Sequence, residues 1–170
     1  MFGSSNHNSI DALLPREMAE RAEQIGVDKT HLDTWSLMAL AVLAGAFVAF
    51  GSMFSVVVTA GADGVLPYGV IRLLGGTVFS LGLILVIVGG AELFTGNNLM
   101  IMACASGRVG AGALLRAWTL VYVGNFFGAI GIALLVFLAA GYAHGNGAVG
   151  MTALAGADAK ASLSGMQAVI

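Results

Sequence analysis

One stretch of this chain carries the side chains that could handle a ligand: Glu92-Leu93-Phe94-Thr95-Gly96-Asn97-Asn98. It is preceded by Gly89 and Gly90 and followed by Leu99-Met100-Ile101-Met102. In a soluble loop this would be an ordinary turn. Here it interrupts an apolar run from about Gly69 to Ala105. Polar groups at membrane depth are tolerated only where they are buried in protein or line a cavity. Thr95, Asn97 and Asn98 are good capping residues. The run is therefore expected to divide into a half-helix over 69–90, a non-helical turn, and a second half-helix over 97–106. A helix N-terminus facing a cavity attracts anions, through its dipole and its free N–H donors together. Discontinuous helices of this kind mark substrate sites in transport proteins. The alternative is a kink without a pathway, stabilised by neighbouring helices.

Each remaining candidate has two readings. Glu92 could gate a pore or relay protons, or it could anchor the turn by accepting backbone hydrogen bonds. Phe79 and Leu83 stand one helical turn apart on the first half-helix and could form an apolar constriction, or they could be packing residues. Lys160 could supply positive potential to an anion vestibule, or it could be a solvated loop lysine. Asn125, within Gly124-Asn125-Phe126-Phe127-Gly128, is read as bonding to backbone or to a neighbouring helix. Cys104 is alone, so neither a disulfide framework nor a thiolate metal cluster can be built, and a structural thiol is the simplest reading.

The elements that must position these residues follow from composition. The chain is 58% hydrophobic and 9% charged, whereas soluble domains carry about 25% charged residues. So little charge cannot cover a soluble surface, and lipid must serve as solvent for much of the chain. The 25 glycines agree, because small residues let membrane helices approach closely. A first span is expected over 35–59, with Trp35 at the interface, long enough to cross ~30 Å of hydrocarbon. Gly61, Gly64 and Pro67 break the chain after it. The second apolar run, at roughly 37 residues, would be ~55 Å long as one straight helix, more than tilt can absorb. A third span is expected over 114–142, with Gly124, Gly128, Ala129 and Gly131 as a packing stripe. A polar, Gly- and Ala-rich loop follows over 143–162, and a fourth span begins over 163–170.

Residues 1–33 contain no signal-peptide pattern. Leu14, Met18, Ala22 and Ile25 recur at helical spacing, with Pro15 suited to a first turn and Gly26 to the position past the end. This predicts a short amphipathic helix, lying on the membrane surface or packed under the bundle, followed by a transmembrane domain over 34–170. Arg16, Arg21, Lys29, Arg108 and Arg116 favour a cytoplasmic N-terminus and a cytoplasmic 107–113 loop, with Arg72 as an exception.

Several functions are disfavoured. Net charge is −2 with no basic patch, so nucleic acid is not an expected partner. His7, His31 and His144 all lie in polar flanks, so no span carries a haem ligand. No Walker loop and no nucleophile–base constellation is present, and neither enzyme activity nor a cofactor is expected.

The sequence resembles the formate/nitrite transporter family. Gly89-Gly90-Ala91-Glu92-Leu93-Phe94-Thr95-Gly96-Asn97 and Val121-Tyr122-Val123-Gly124-Asn125-Phe126-Phe127-Gly128-Ala129 carry the resemblance. Asp11-Ala12-Leu13-Leu14-Pro15, Met18-Ala19-Glu20 and Phe79-Ser80-Leu81-Gly82-Leu83-Ile84-Leu85 are similar to its formate-channel branch. The resemblance implies an all-α, aquaporin-like fold of two inverted three-helix repeats, assembled as a pentamer in a bacterial inner membrane. This chain corresponds to the first repeat, with its broken second helix, and the start of the fourth span. It also implies that Thr95 approaches a central site, with Leu93 and Phe94 as its apolar neighbours. Phe79 and Leu83 match pore-constriction residues, and Lys160 matches a vestibule lysine that draws anions inward. Gly96-Asn97 departs from the serine-containing loop of close formate channels.

The leading functional reading is a channel or proton-coupled transporter for small monovalent anions, formate first, then nitrite or hydrosulfide. The rival is a non-transporting membrane scaffold or an inactive fragment, and a third reading is a neutral-solute channel. Downstream coding sequence separates the first two. A second broken apolar segment with an intramembrane histidine is expected there, and a stop codon directly after Ile170 would favour the rival.

Overall fold

The computed structural model describes residues 14–169, and among them all regular structure is helical. Expectations for residues 1–13, including Asp11, Ala12 and Leu13, and for Ile170 lie outside the described residues. In chain order the helices are α1 (Pro15–Thr30), α2 (Thr34–Thr59), α3 (Tyr68–Val88), α4 (Phe94–Asn97), α5 (Met100–Ala105), α6 (Ala111–Leu138), α7 (Ala148–Ala161) and α8 (Gly165–Val169). A single 3-10 turn, Gly141–Ala143, joins α6 to the loop before α7. Helices α2, α3 and α6 are long and apolar enough to cross a membrane.

Local chemistry sets the ends. Pro15 opens α1, and the Glu17 carboxylate accepts the Leu14 N–H at 3.0 Å. Asp33 caps α2 by accepting the N–H groups of Trp35 and Ser36, both at 3.0 Å. Hydrogen bonds from Ser36, side chain first and then backbone, hold the Asp33 carboxyl below its ordinary range. At α8, Ser164 and Gln167 form the reciprocal pair of a capping box. The two junctions echo each other. In each, a lysine (Lys29, Lys160) in the last turn of a preliminary helix stands four residues before the cap of the next helix (Asp33, Ser164).

Helix α2 is the central element, packed on α3 along one face and on α6 along another. Both contacts are backbone to backbone. A Cβ at Gly128 would fall on the Val42 carbonyl, one at Gly45 on the backbone of Asn125, and one at Gly124 on Ala41. On the other face, Gly51 and Gly82 oppose each other, and a Cβ at Gly82 would stand 2.7 Å from the Phe47 carbonyl. Apolar side chains gain little from meeting each other in lipid, so membrane helices associate through such close packing. Gly131, by contrast, faces open space and takes no part.

Four boundaries differ from the sequence expectation. Helix α1 runs through Gly26 to Thr30, because Gly26 is a contact residue rather than a terminator. A Cβ there would meet Ala103 at 3.2 Å and the Met100 backbone at 3.3 Å, so α1 seats on α5, under the bundle. The second half-helix begins at Phe94, not Asn97, and is itself interrupted before Met100. The third span covers Ala111–Leu138, ending where Ala140 turns left-handed at φ 52°. The segment expected as a loop over 143–162 contains α7, whose alanine-rich sequence favours a helix that its glycines disguise.

These close contacts predict a measurable cost. Gly128→Ala should lower the unfolding free energy in detergent micelles by about 1–3 kcal/mol, the usual penalty of overpacking. Gly131→Ala should leave it within about 0.5 kcal/mol.

Candidate functional site

The site is the passage from α3 to α5. Helix α3 ends in a Schellman turn. Gly90, at φ +60°, donates its N–H to Ile87 O at 3.3 Å, and Ala91 donates to Val86 O at 2.9 Å. The positive φ explains the glycine at this position. Buried Ala91 and Val86 pack with Ala44 of α2, and half-buried Leu93 packs against the same cluster. The chain then runs extended, and the Glu92 N–H bonds to the Leu40 carbonyl of α2 at 3.1 Å.

Asn125 of α6 clamps this extended piece. Its Oδ1 accepts the Phe94 N–H at 2.9 Å, and its Nδ2 donates to Glu92 O at 2.9 Å and Ala41 O at 2.8 Å. One amide thus ties α2, the turn and α6 together. It also performs the capping role expected of Thr95, Asn97 and Asn98. The residue at the N-cap of α4 is Leu93, which has no side chain able to accept.

Glu92 is buried, and its carboxylate accepts from the Lys29 ammonium at 2.7 Å rather than from backbone N–H groups. Lys29 also donates to Asn97 Oδ1 at 2.7 Å. The pair is well shielded, with side-chain exposures of 23% for Lys29 and 8% for Glu92. Such a pair is costly to assemble and far more costly to break, because removing one partner strands the other charge. The Glu92 carboxylate is thus tied to the N-terminal helix and not to the backbone of its own turn. Among the described residues, the fully buried Asn97 keeps its Nδ2 without an acceptor.

What the turn presents outward is Thr95 and Gly96, both exposed. Among the described residues neither of their N–H groups nor the Thr95 hydroxyl has a hydrogen-bond partner. With only one turn in α4, the helix dipole is small. The useful feature is three free donors on a rigid mount.

The other sequence candidates are dispersed. Phe94 is half-buried, edge-on to Trp118 (6.2 Å) and Tyr122 (5.4 Å), so it braces the turn. Phe79 lies along a cleft of about 440 Å³ between the far ends of α2 and α3 and the face of α7. Ser55, Thr59, Asp63, Tyr68, Arg72 and Thr152 supply its polar lining. Leu83, one turn further along α3, is 40% exposed and does not line that cleft. Lys160 is exposed in the last turn of α7, one turn past the cleft-lining Gly156 on the same helix face. Asn98 is exposed at the C-terminal end of α4. Among the described residues no cluster of side chains could hold a metal ion.

Comparison with known proteins decides the family. A family model described as "Formate/nitrite transporter" matches residues 16–170. The chain belongs to the formate/nitrite transporter family. Among its relatives is the formate channel FocA of Escherichia coli K12, 41% identical over 162 residues, covering 95% of this chain and 56% of that protein. The formate channel FocA of Haemophilus influenzae is 35% identical over 160 residues, covering 94% and 56%. A solved pentameric formate channel with formate bound aligns at TM-score 0.74 and 39% identity, over 79% of this chain and 52% of its own. An FNT family ion channel at 23% identity and TM-score 0.67 shares the fold. The chain spans about half the length of the curated relatives it matches. As in this transporter family, it is an all-helical membrane protein with a broken second apolar helix, the expected first half of an inverted-repeat bundle.

Two residues of the site were missed from sequence. Lys29 was counted only toward orientation, although an intramembrane carboxylate needs a cationic partner and Lys29 ends the helix before span one. Trp118 gave no signal, because an aromatic near the start of a span reads as an interfacial residue.

The ion pair predicts a specific pattern. Glu92→Ala should lower the unfolding free energy by about 3–5 kcal/mol by stranding Lys29. Lys29→Met with Glu92→Leu should recover part of that loss, measured by denaturant unfolding in micelles.

Proposed function

We propose that the whole protein is a channel or proton-coupled transporter for small monovalent anions, with formate preferred and nitrite or hydrosulfide next. One observation carries the reading: a buried and fully clamped turn that leaves Thr95 and Gly96 exposed with three unused donors. A turn so anchored can contact a dehydrated anion without reorganising. The relatives named formate channels in two bacteria support the choice of formate. So does the structural neighbour described as pentameric with formate bound.

Arg72, which lines the cleft, and Lys160, one helical turn beyond its α7 wall, would raise the local anion concentration. Phe79 and Leu83 would form the apolar constriction beyond, and Thr95, flanked by Leu93 and Phe94, the contact point. Glu92, Gly96, Asn97 and Asn98 would shape the turn. Dehydrating an anion at such a constriction is costly. Protonation to the neutral acid would remove that cost, with the proton donor outside this chain. The solute leaves chemically unchanged, so no catalytic residue is assigned. The assembly would be a homopentamer in a bacterial inner membrane with its N-terminus in the cytoplasm. That orientation is supported by Arg16, Arg21, Arg108 and Arg116 at one end of the bundle.

Flux of labelled formate into proteoliposomes of the whole protein tests this. Flux should exceed that of empty liposomes and rise toward acid pH. Thr95→Val should lower it ~5- to 30-fold, the worth of one hydrogen bond to a charged or reacting group. Flux no greater than in empty liposomes, or untouched by Thr95→Val, would sink the reading, and pH-independent flux would mark a neutral-solute channel.

A further inference from the structure

We propose that Trp118 is a positioning residue for the Thr95 turn, setting the direction of the Thr95 hydroxyl by holding both ends of α4. The transport half of this inference rests on the function proposed above, and the geometric half does not.

At the α4–α5 junction the helical ladder tightens from i−4 to i−3 bonds. Asn98 N–H bonds to Phe94 O and Leu99 N–H to Gly96 O. Ile101 N–H then bonds to Asn98 O at 3.1 Å, and Met102 N–H to Leu99 O at 3.0 Å. Asn97 is fully buried, so bulk water is not available to it. A buried carbonyl without a partner is strongly disfavoured. The Trp118 indole N–H donates to Asn97 O at 2.9 Å.

The same side chain bears on the other end of α4. Its ring meets the Phe94 ring edge-to-face at 6.2 Å. Tyr122, one turn along α6, flanks Phe94 at 5.4 Å, and Asn125, nearly one turn further, fixes the Phe94 N–H. A single stripe of α6 therefore grips the first residue of α4 at ring and amide and the last residue at its carbonyl. Thr95 and Gly96 are the two residues between these grips.

Without the indole donor, the least costly repair is for the Ile101 N–H to move from Asn98 O to Asn97 O. That change replaces an i−3 bond by an i−4 bond and fuses α4 with α5 into one continuous helix. Fusion would turn Thr95 about the helix axis and take its hydroxyl out of its present direction. The Trp118 N–H thus favours the tighter i−3 geometry that keeps this half-helix in two pieces.

Two readouts on the whole protein test the inference. In a Cys104→Ala background, Thr95→Cys reports the direction of the turn through its rate of modification by a methanethiosulfonate reagent in micelles. Trp118→Phe, which keeps an aromatic ring and removes the N–H, should change that rate at least ~5-fold, on the scale of one lost buried hydrogen bond. Leu81→Cys, exposed on α3, should label at an unchanged rate. Trp118→His, which keeps a ring N–H, should fall between parent and Trp118→Phe, and it replaces the Phe variant if that one does not assemble. In the second readout, formate flux forms a double-mutant cycle with Thr95→Val. Trp118→Phe should lower flux ~5- to 20-fold alone, and less than ~2-fold when Thr95 is already Val, because coupled residues do not act additively. An unchanged Thr95→Cys labelling rate, or fluxes that multiply independently, overturns the inference. If the parent protein carries no formate, the transport reading falls and the labelling arm alone decides the role of Trp118.

Discussion

A backbone that leaves its helix inside an apolar bundle must find a partner for every N–H and C=O it frees, because no water is there to take them. Asn125 meets two of those demands at one point. Three hydrogen bonds from a single amide join α2, the turn and α6. The demand extends outward from there: the Glu92 N–H goes to Leu40 O, the Glu92 carboxylate to Lys29, and the Asn97 carbonyl to Trp118. The result is a non-helical passage whose inner surface is committed to protein and whose outer surface, at Thr95 and Gly96, is not. Function at this site follows from that asymmetry more than from any one side chain.

The glycine contacts make the clamp possible. An asparagine side chain is short, and it can reach a carbonyl of a neighbouring helix only when the two backbones nearly touch. Gly45 removes the side chain that would otherwise hold α2 off the backbone of Asn125, while Gly124 and Gly128 do the same from α6. Packing and polar satisfaction are therefore one design. A side chain added at any of the three would damage the turn without touching it.

The spans and the break were legible in sequence because both rest on strong, local signals. A long charge-free run cannot be anything but a span, and Glu92 amid glycines and amides cannot continue one. The family pattern around Glu92 and Asn125 was equally plain. Exact geometry was not. The half-helix was placed at Asn97 from capping propensity, but the cap is Asn125, 31 residues from the amide it binds. Gly26 looked like a terminator because a glycine at a helix end and a glycine at a close contact have the same letter. Helix α7 was hidden by its glycines. Lys29 and Trp118 act across 63 and 21 residues. Their partners are set by the packing of α1 and α6, which no local pattern encodes.

The Lys29–Glu92 pair also bears on how such a chain is made. Synthesis delivers α1 first and the turn some sixty residues later, since the two charges are 63 positions apart. A lone carboxylate resists entry into hydrocarbon. Once paired with Lys29, the carboxylate lies in the bundle as part of a neutral unit. The counter-charge that Glu92 needs is thus encoded ahead of the first span, and the two ends of this sixty-residue stretch close on each other in the fold.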